Sequence, residues 1–393
     1  MKSSMRLSRA FLALLAFCAF AAGPAAAQDA PDDSPEALFQ SGMSSFMRND
    51  FEHSVEFLDQ LVKVFGREPQ LRTQIDLAMY ARACAYYNIP KYEEAIKAFG
   101  EYLAQYPESK FADEAQFRIG SAHQALEDYT QAVTAYQALR SKYPRSSYGE
   151  DALYQIGLCY LLEENNPRAI EAFKDFMAQY PKSPLAGQAG AFAARALFDS
   201  DQVKESVEML EAIEKLNRSW SVISYCNFLA FEIGDYAYDE TEYDLALKAY
   251  RRVKPKAAIL RHLEAYVAQL DAAFTALRDR PVSPNSFNAH YKELNRVRTE
   301  LSQAREMLSK LSALPDYDAN LYHRIGRCFF NTDRFWEART AFQRVVGTAT
   351  DPAVKEAAHF DLILCISHLR RYQDLLVEAD SYLATYDSEG KWE

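Results

Sequence analysis

Tyr92-Glu93-Glu94-Ala95 running to Tyr106-Pro107, Tyr129-Thr130-Gln131-Ala132 running to Tyr143-Pro144, and Asn166-Pro167-Arg168-Ala169 running to Tyr180-Pro181 are three versions of one pattern. Corresponding residues lie 37 apart. A fixed period of that size is the mark of a repeat array, in which one small unit stacks on the next. Working outward, each unit can be marked by one central position: Gly42, Ala83, Gly120, Gly157, Ala194, Gly234, Gly326 and Ile363. Nine residues after each mark stands an aromatic or a substitute: Phe51, Tyr92, Tyr129, Asn166, Val203, Tyr243, Phe335 and Tyr372. Twelve after, a small residue recurs in most units (Ser54, Ala95, Ala132, Ala169, Ser206, Ala246, Ala338, then Leu375). Sixteen after comes a large apolar one in most: Leu58, Phe99, Tyr136, Phe173, Leu210, Tyr250, Phe342, then Ala379.

These spacings predict two amphipathic helices per unit, joined by a tight turn. The small residue at the mark lets the first helix approach its partner, and the residue sixteen on fills the space opposite. Pro107, Pro144 and Pro181, each after a Tyr, end the second helix. Ser109, Ser146 and Ser183 follow at one recurring place and suit turn chemistry.

Spacings between marks are 41, 37, 37, 37, 40, 92 and 37, so one interval holds something extra. Within it, Ile259, Leu263, Tyr266, Val267, Leu270, Phe274 and Leu277 recur at helical steps. After Asp279–Pro284, so do Phe287, Tyr291, Leu294, Val297, Leu301, Leu308 and Leu311. Two helices of about 30–40 Å each are expected, paired as a short antiparallel coiled-coil hairpin. From Lys256 to Lys310 nine Lys and Arg stand against six Asp and Glu, a net +3 in an otherwise acidic protein. A solvated face on an enlarged repeat and a partner-docking arm are both compatible with that balance.

The 393 residues, 49% of them apolar, are ample for a large core, and length alone would favour two or three domains. A repeat array overrides that prior, because its core grows with length. The domain reading is therefore 1–27 signal segment, 28–35 disordered tether, 36–255 repeats one to six, 256–314 helical hairpin, and 315–393 repeats seven and eight with a polar tail. The first segment has a basic lead (Lys2, Arg6, Arg9), a short apolar run from Ala10 to Ala22, and small residues at Ala25-Ala26-Ala27. Those are the features of a cleavable export signal, with Gln28 the expected mature start. The run is too short to span a bilayer comfortably, and no later segment is long enough. Phe17 before Cys18 does not suit a lipidated cysteine. Net charge is −11, and about −14 without the basic lead, which argues against nucleic acid and anionic lipid as main partners.

The spacing of these marks resembles the tetratricopeptide repeat over most of the chain. The 37-residue period with Tyr-Pro and a following Ser is similar to a bacterial envelope subset. That subset includes the lipoprotein of the outer-membrane β-barrel assembly machine and the Tol–Pal-associated coordinator. The chain departs from the first in having no lipobox and from the second in having no N-terminal coiled coil, and it carries more repeats than either. The resemblance therefore implies a fold, an all-α α-solenoid of about eight helix-turn-helix repeats with an inserted long antiparallel helical hairpin. It also implies a compartment, the periplasm, at a location peripheral to the outer membrane, and no specific role.

No Gly-rich phosphate loop and no His-Glu-x-x-His occurs, and the seven His show no metal-ligand spacing, so no cofactor, metal or catalysis is expected. Cys159, Cys328 and Cys365 each sit two after a mark, at a small packing position, and are expected to be buried free thiols. In a stack of this kind the first helices line the concave face. Tyr80, Tyr87, Gln124, Tyr154, Arg195, Phe231 and Tyr238 are expected on its exposed side. There they either form a groove for extended peptides or complete the packing between repeats. The function expected is a non-catalytic scaffold binding a protein or peptide segment in cell-envelope assembly or division. A solute- or glycan-binding protein using the same aromatics is the alternative. Leu375, Leu376, Val377, Tyr382 and Leu383 in the last repeat look ready to be covered.

Overall fold

A computed structural model of the chain describes residues 34–216, 220–281, 287–314 and 316–386. The expected signal segment, most of the expected tether and residues 387–393 lie outside those residues. The described residues form α-helices, one short 3-10 helix at Pro69–Leu71 and no strand. The chain divides into two units, residues 1–122 and 123–393.

In the first unit, α1 (Pro35–Met47), α2 (Phe51–Phe65), α3 (Arg72–Asn88) and α4 (Tyr92–Gln105) pack in sequence, and α5 (Ala112–Ala125) begins. Helix α1 starts one residue inside the expected tether, because Ser34 caps it: its hydroxyl accepts the Ala37 amide at 3.3 Å, and Pro35 suits the first turn. The second unit continues with α6 (Tyr129–Lys142), α7 (Gly149–Leu162), α8 (Asn166–Gln179), α9 (Ala186–Asp199), α10 (Val203–Ile213), α11 (Trp220–Asp239) and α12 (Tyr243–Tyr250). Then come α13 (Lys256–Arg278), α14 (Phe287–Ala313), α15 (Asp318–Asn331), α16 (Phe335–Thr348), α17 (Pro352–His368) and α18 (Tyr372–Thr385).

The residue nine after every mark is the first residue of a second helix. The turn before it explains why. Asn49, Glu127, Glu164, Asp201, Thr241, Asp333 and Arg370, two residues ahead of their helices, take φ of 55° to 63°. The next amide bonds back five residues, as in Asp128 N to His123 O at 2.9 Å and Glu242 N to Ala237 O at 2.8 Å. That is a Schellman closure, usually built on glycine. Here none of the seven is glycine, so each carries left-handed strain of about 1 kcal/mol. Thr241 is β-branched and worst suited. Replacing it by Asn, which tolerates this region, is expected to raise the unfolding free energy by about 0.5–1 kcal/mol in urea melts.

The marks work as steric gates. A Cβ added to Gly42 would stand 2.6 Å from Leu58, at Gly157 2.6 Å from the Phe173 ring, at Gly234 2.4 Å from Tyr250 and at Gly326 2.5 Å from Phe342. In each case the obstacle is the residue sixteen on, itself all but fully buried. The Tyr-Pro-x-Ser punctuation is also resolved: Ser146 and Ser183 hydroxyls accept the Tyr148 and Leu185 amides at 3.1 and 3.0 Å. These are local side-chain turns that pre-form the entry to the next helix.

Helices α13 and α14 lie antiparallel. Leu263 packs with Leu311 at one end, Leu270 with Val297, Leu301 and Ala304 along the middle, and Arg305 pairs with Asp271 at 2.9 Å. Residues 282–286, where the connecting turn is expected, lie outside the described residues.

All five cysteines after residue 27 are buried and free. Burial pushes the thiols of Cys159, Cys328 and Cys365 up to about 12, and that of Cys84 up to about 11. The unfolded thiols ionise near 9, so this contribution to stability is complete below about pH 9 and is lost as pH rises toward 12. The urea midpoint is expected to fall steadily above pH 9. At pH 8, thiol labelling mapped by mass spectrometry is expected to spare all five in the native protein and reach all five in urea.

Candidate functional site

The seven residues expected on an exposed face separate into three groups. Tyr80 and Tyr154 are core residues, 1% and 6% exposed, contrary to the expectation. Tyr80 stacks on Phe111 at 4.6 Å, and Tyr154 sits against Phe173 and Phe176 at 6.1 and 5.6 Å. Both lie three before a mark, and that position points between the two helices of the unit. Tyr87 and Gln124, four after a mark, are engaged by the turn: Tyr87 meets Tyr92 edge-on at 5.4 Å, and the Gln124 side-chain oxygen accepts the Tyr136 hydroxyl at 3.0 Å. The same clamp recurs as Phe46 on Phe51, Tyr238 on Tyr243 and Phe330 on Phe335, with centroids 5.3 to 5.4 Å apart.

Arg195, Phe231 and Tyr238 are brought together around α11. Arg195 bridges Asp199 and Glu232, each at 2.8 Å. Arg324 from α15 forks onto both Asp235 oxygens at 2.5 and 2.9 Å and lies 5.1 Å over the Phe231 ring. The Tyr250 hydroxyl donates to the same Asp235 carboxylate at 2.6 Å. Arg327 lies 5.4 Å over Tyr238, whose hydroxyl accepts Asn331 Nδ2 at 3.1 Å. Burial, and then the bond to Asp235, raises the Tyr250 phenol well above its ordinary value. Burial opposes the Arg324 charge, but the Asp235 bond and charge outweigh it and raise that group too.

Glu232, Asp235, Arg324 and Arg327 were not expected at a site. The signal was available. Side-chain links between neighbouring repeats elsewhere in this unit span 33 to 39 residues, such as Arg195–Glu232 at 37. Arg324–Asp235 and Asn331–Tyr238 span 89 and 93. Those are the same rungs displaced by the interval of 92 between the marks Gly234 and Gly326. The unit after residue 315 therefore stacks on α11 and α12 as a direct neighbour, and α13 with α14 leaves the stack between them.

Where that pair departs, it leaves a cleft of about 470 Å³ against α11. Its walls are Phe228 and Phe231 from α11, Ile259 and Leu263 from α13, and Met307 and Leu311 from α14. Asn227, Glu232 and Asp235 form a polar edge. Phe228 is 71% exposed although it lines this apolar space. The corner below is pinned. Asn227 brackets Lys254 with two 3.0 Å bonds, Tyr317 donates to the Lys254 carbonyl at 2.8 Å, and Asp318 accepts the Lys256 and Ala257 amides at 2.5 and 3.2 Å. The ammonium of Lys256 reaches the Ser312 and Leu314 carbonyls at the end of α14. Since the polar side chains at the edge are mostly spent inside the protein, what the cleft offers a ligand is apolar surface with a preformed shape. Among the described residues no three metal-ligating side chains converge, and no helix is long and apolar enough to cross a membrane.

A tetratricopeptide repeat family model matches residues 77–109, 114–146 and 151–183. Among solved structures, MamA (residue 41 to the end) from Desulfovibrio magneticus RS-1 aligns with a TM-score of 0.37 at 19% identity, over 48% of this chain and 97% of that one. A Podosopora anserina putative kinesin light chain with TPR-like repeats gives 0.36 at 16%, over 48% and 96%. The apo form of RapI gives 0.35 at 15%, over 62% and 87%. No curated protein matches the chain in sequence.

Proposed function

We propose that this chain, which carries tetratricopeptide repeats, is an exported, non-catalytic scaffold that holds a segment of a protein partner against α11. An apolar side chain of the partner seats in the cleft. The observation that carries this reading is Phe228, an aromatic ring left open to solvent on the lip of a rigidly framed apolar space. Repeat stacks bind by presenting many side chains on one fixed surface, with little reorganisation on binding. The setting is cell-envelope assembly or division, supported by the signal-like first 27 residues and by the resemblance of the repeats to envelope proteins.

A second reading, binding of a glycan or other solute, is supported by Tyr225, Phe228 and Tyr236, three exposed rings on the same helix. Selection of a random peptide library on the immobilised full chain, beside a saccharide array, separates the two. The scaffold reading expects peptides that share an apolar anchor and do not bind Phe228→Asp. Saturable saccharide binding with no selected peptide would replace it with the second reading.

A further inference from the structure

We propose that the outer face of α18 is a self-association surface, which pairs antiparallel with the same face of a second copy of this chain. Tyr372, Leu376 and Leu383 fall on one side of the helix at steps of four and seven, with Val377 beside them, and all four are 63 to 68% exposed. No residue of α18 is fully buried. Its opposite side is committed inward, where Leu375 joins the core and Tyr382 packs on His359 and Tyr386 at 5.4 and 4.8 Å.

The repeat pattern says what this face is shaped for. Leu376 stands thirteen residues after its mark. In four of the preceding units the corresponding residues, Val133, Ile170, Val207 and Leu247, are 3 to 7% exposed, while the unit directly before carries Arg339 there. In those four units the first helix of the following repeat lies over them. In α18 the same position is apolar but open. Val377 goes further, since the residue fourteen after a mark is polar in the other units (Thr134, Glu171, Glu208, Lys248, Thr340). A surface left to solvent would be polar there, as that position is in every other unit.

Three features select a second copy as the occupant. The outward stripe of α1 is polar (Glu36, Gln40, Ser44, with Arg48 just after) and Met47 is its one exposed large apolar side chain, so a head-to-tail arrangement offers the four-residue apolar face of α18 little to pair with. Arg370 just before α18 and Asp380 near its end are exposed and form no ion pair among the described residues, so an antiparallel pair sets the basic start of one helix against the acidic end of the other. Antiparallel alignment also sets the two helix dipoles in opposition, which is favourable. A face that is complementary to itself closes at two copies and does not polymerise.

Light scattering and sedimentation of the full chain test this, independently of what the α11 cleft binds. A dimer is expected. Leu376→Glu with Leu383→Glu is expected to weaken it at least about 30-fold, as loss of central apolar anchors does. Helicity should be unchanged, and the melting temperature should match that of the unsubstituted chain once both are dilute enough to be monomeric, because both residues are exposed in the single copy. Thiol crosslinking between a Tyr372→Cys copy and a Leu383→Cys copy is expected to exceed that between two Tyr372→Cys copies. A monomer at all concentrations, open-ended oligomers, a dimer that survives the double substitution, or preferential Tyr372→Cys self-crosslinking would each overturn the proposal.

Discussion

Replacing Gly234 by Val is expected to lower the stability of the second unit by about 3 kcal/mol, at the upper end for overpacking a core. The added Cβ would stand 2.4 Å from Tyr250 Cε1 and 2.6 Å from Cδ1. The ring cannot yield, because it is 1% exposed and its hydroxyl is tied to Asp235. Moving it would also loosen Asp235 from Arg324, so the damage reaches the α11–α15 seam as well as the core. Gly347, in the same unit, is the control: a Cβ there meets nothing within 4 Å. Gly347→Ala is expected to stabilise by about 0.5–1 kcal/mol through helix propensity alone. Urea melts of the two variants compare them directly. If Gly234→Val cost no more than a surface substitution, the close approach of paired helices would not be what the glycine marks provide.

Phe228→Asp is expected to do the reverse, with little effect on stability and a large one on binding. The ring is mostly exposed, so its loss should shift unfolding by no more than about 0.5 kcal/mol. Peptide affinity should fall at least about 30-fold, because an aromatic contact on the lip is replaced by a charge facing apolar walls. Leu263→Ala gives the complementary outcome. That side chain is fully buried in the cleft floor, and truncating it should cost about 2–5 kcal/mol. A Phe228→Asp variant that melts early would show the residue to be structural.

The repeats were legible because their determinants are local and periodic. A small mark, a helix-starting residue nine on and a bulky one sixteen on are each forced by the packing of two helices, so they recur wherever the unit does. The left-handed turn was not legible, since Asn49, Glu127, Asp201 and Thr241 share a backbone conformation but no residue type. The exposed face was misread at Tyr80 and Tyr154 because helical phase was reckoned for one helix alone. A first helix is gripped by its own partner and by the next unit, and the two together bury the position three before the mark. Arg195, Phe231 and Tyr238 were assigned with four others to one expected face because all sit near marks; that these three meet around α11 was not foreseen. Their partners on α15 were hidden by the 256–314 interval, which separates in sequence two repeats that touch in space. The cleft itself could not be read from any one segment. It exists only where α11, α13 and α14 meet.

Photo-crosslinking through a reactive side chain placed at position 228, in cells that express the full chain, tests the binding account most directly. Mapping the captured peptide by mass spectrometry, with Phe228 replaced at that one site, should return a single envelope protein joined through an apolar stretch. Prior addition of a selected peptide should suppress that product. Capture of no protein, or of many proteins indifferent to the competing peptide, would contradict the account.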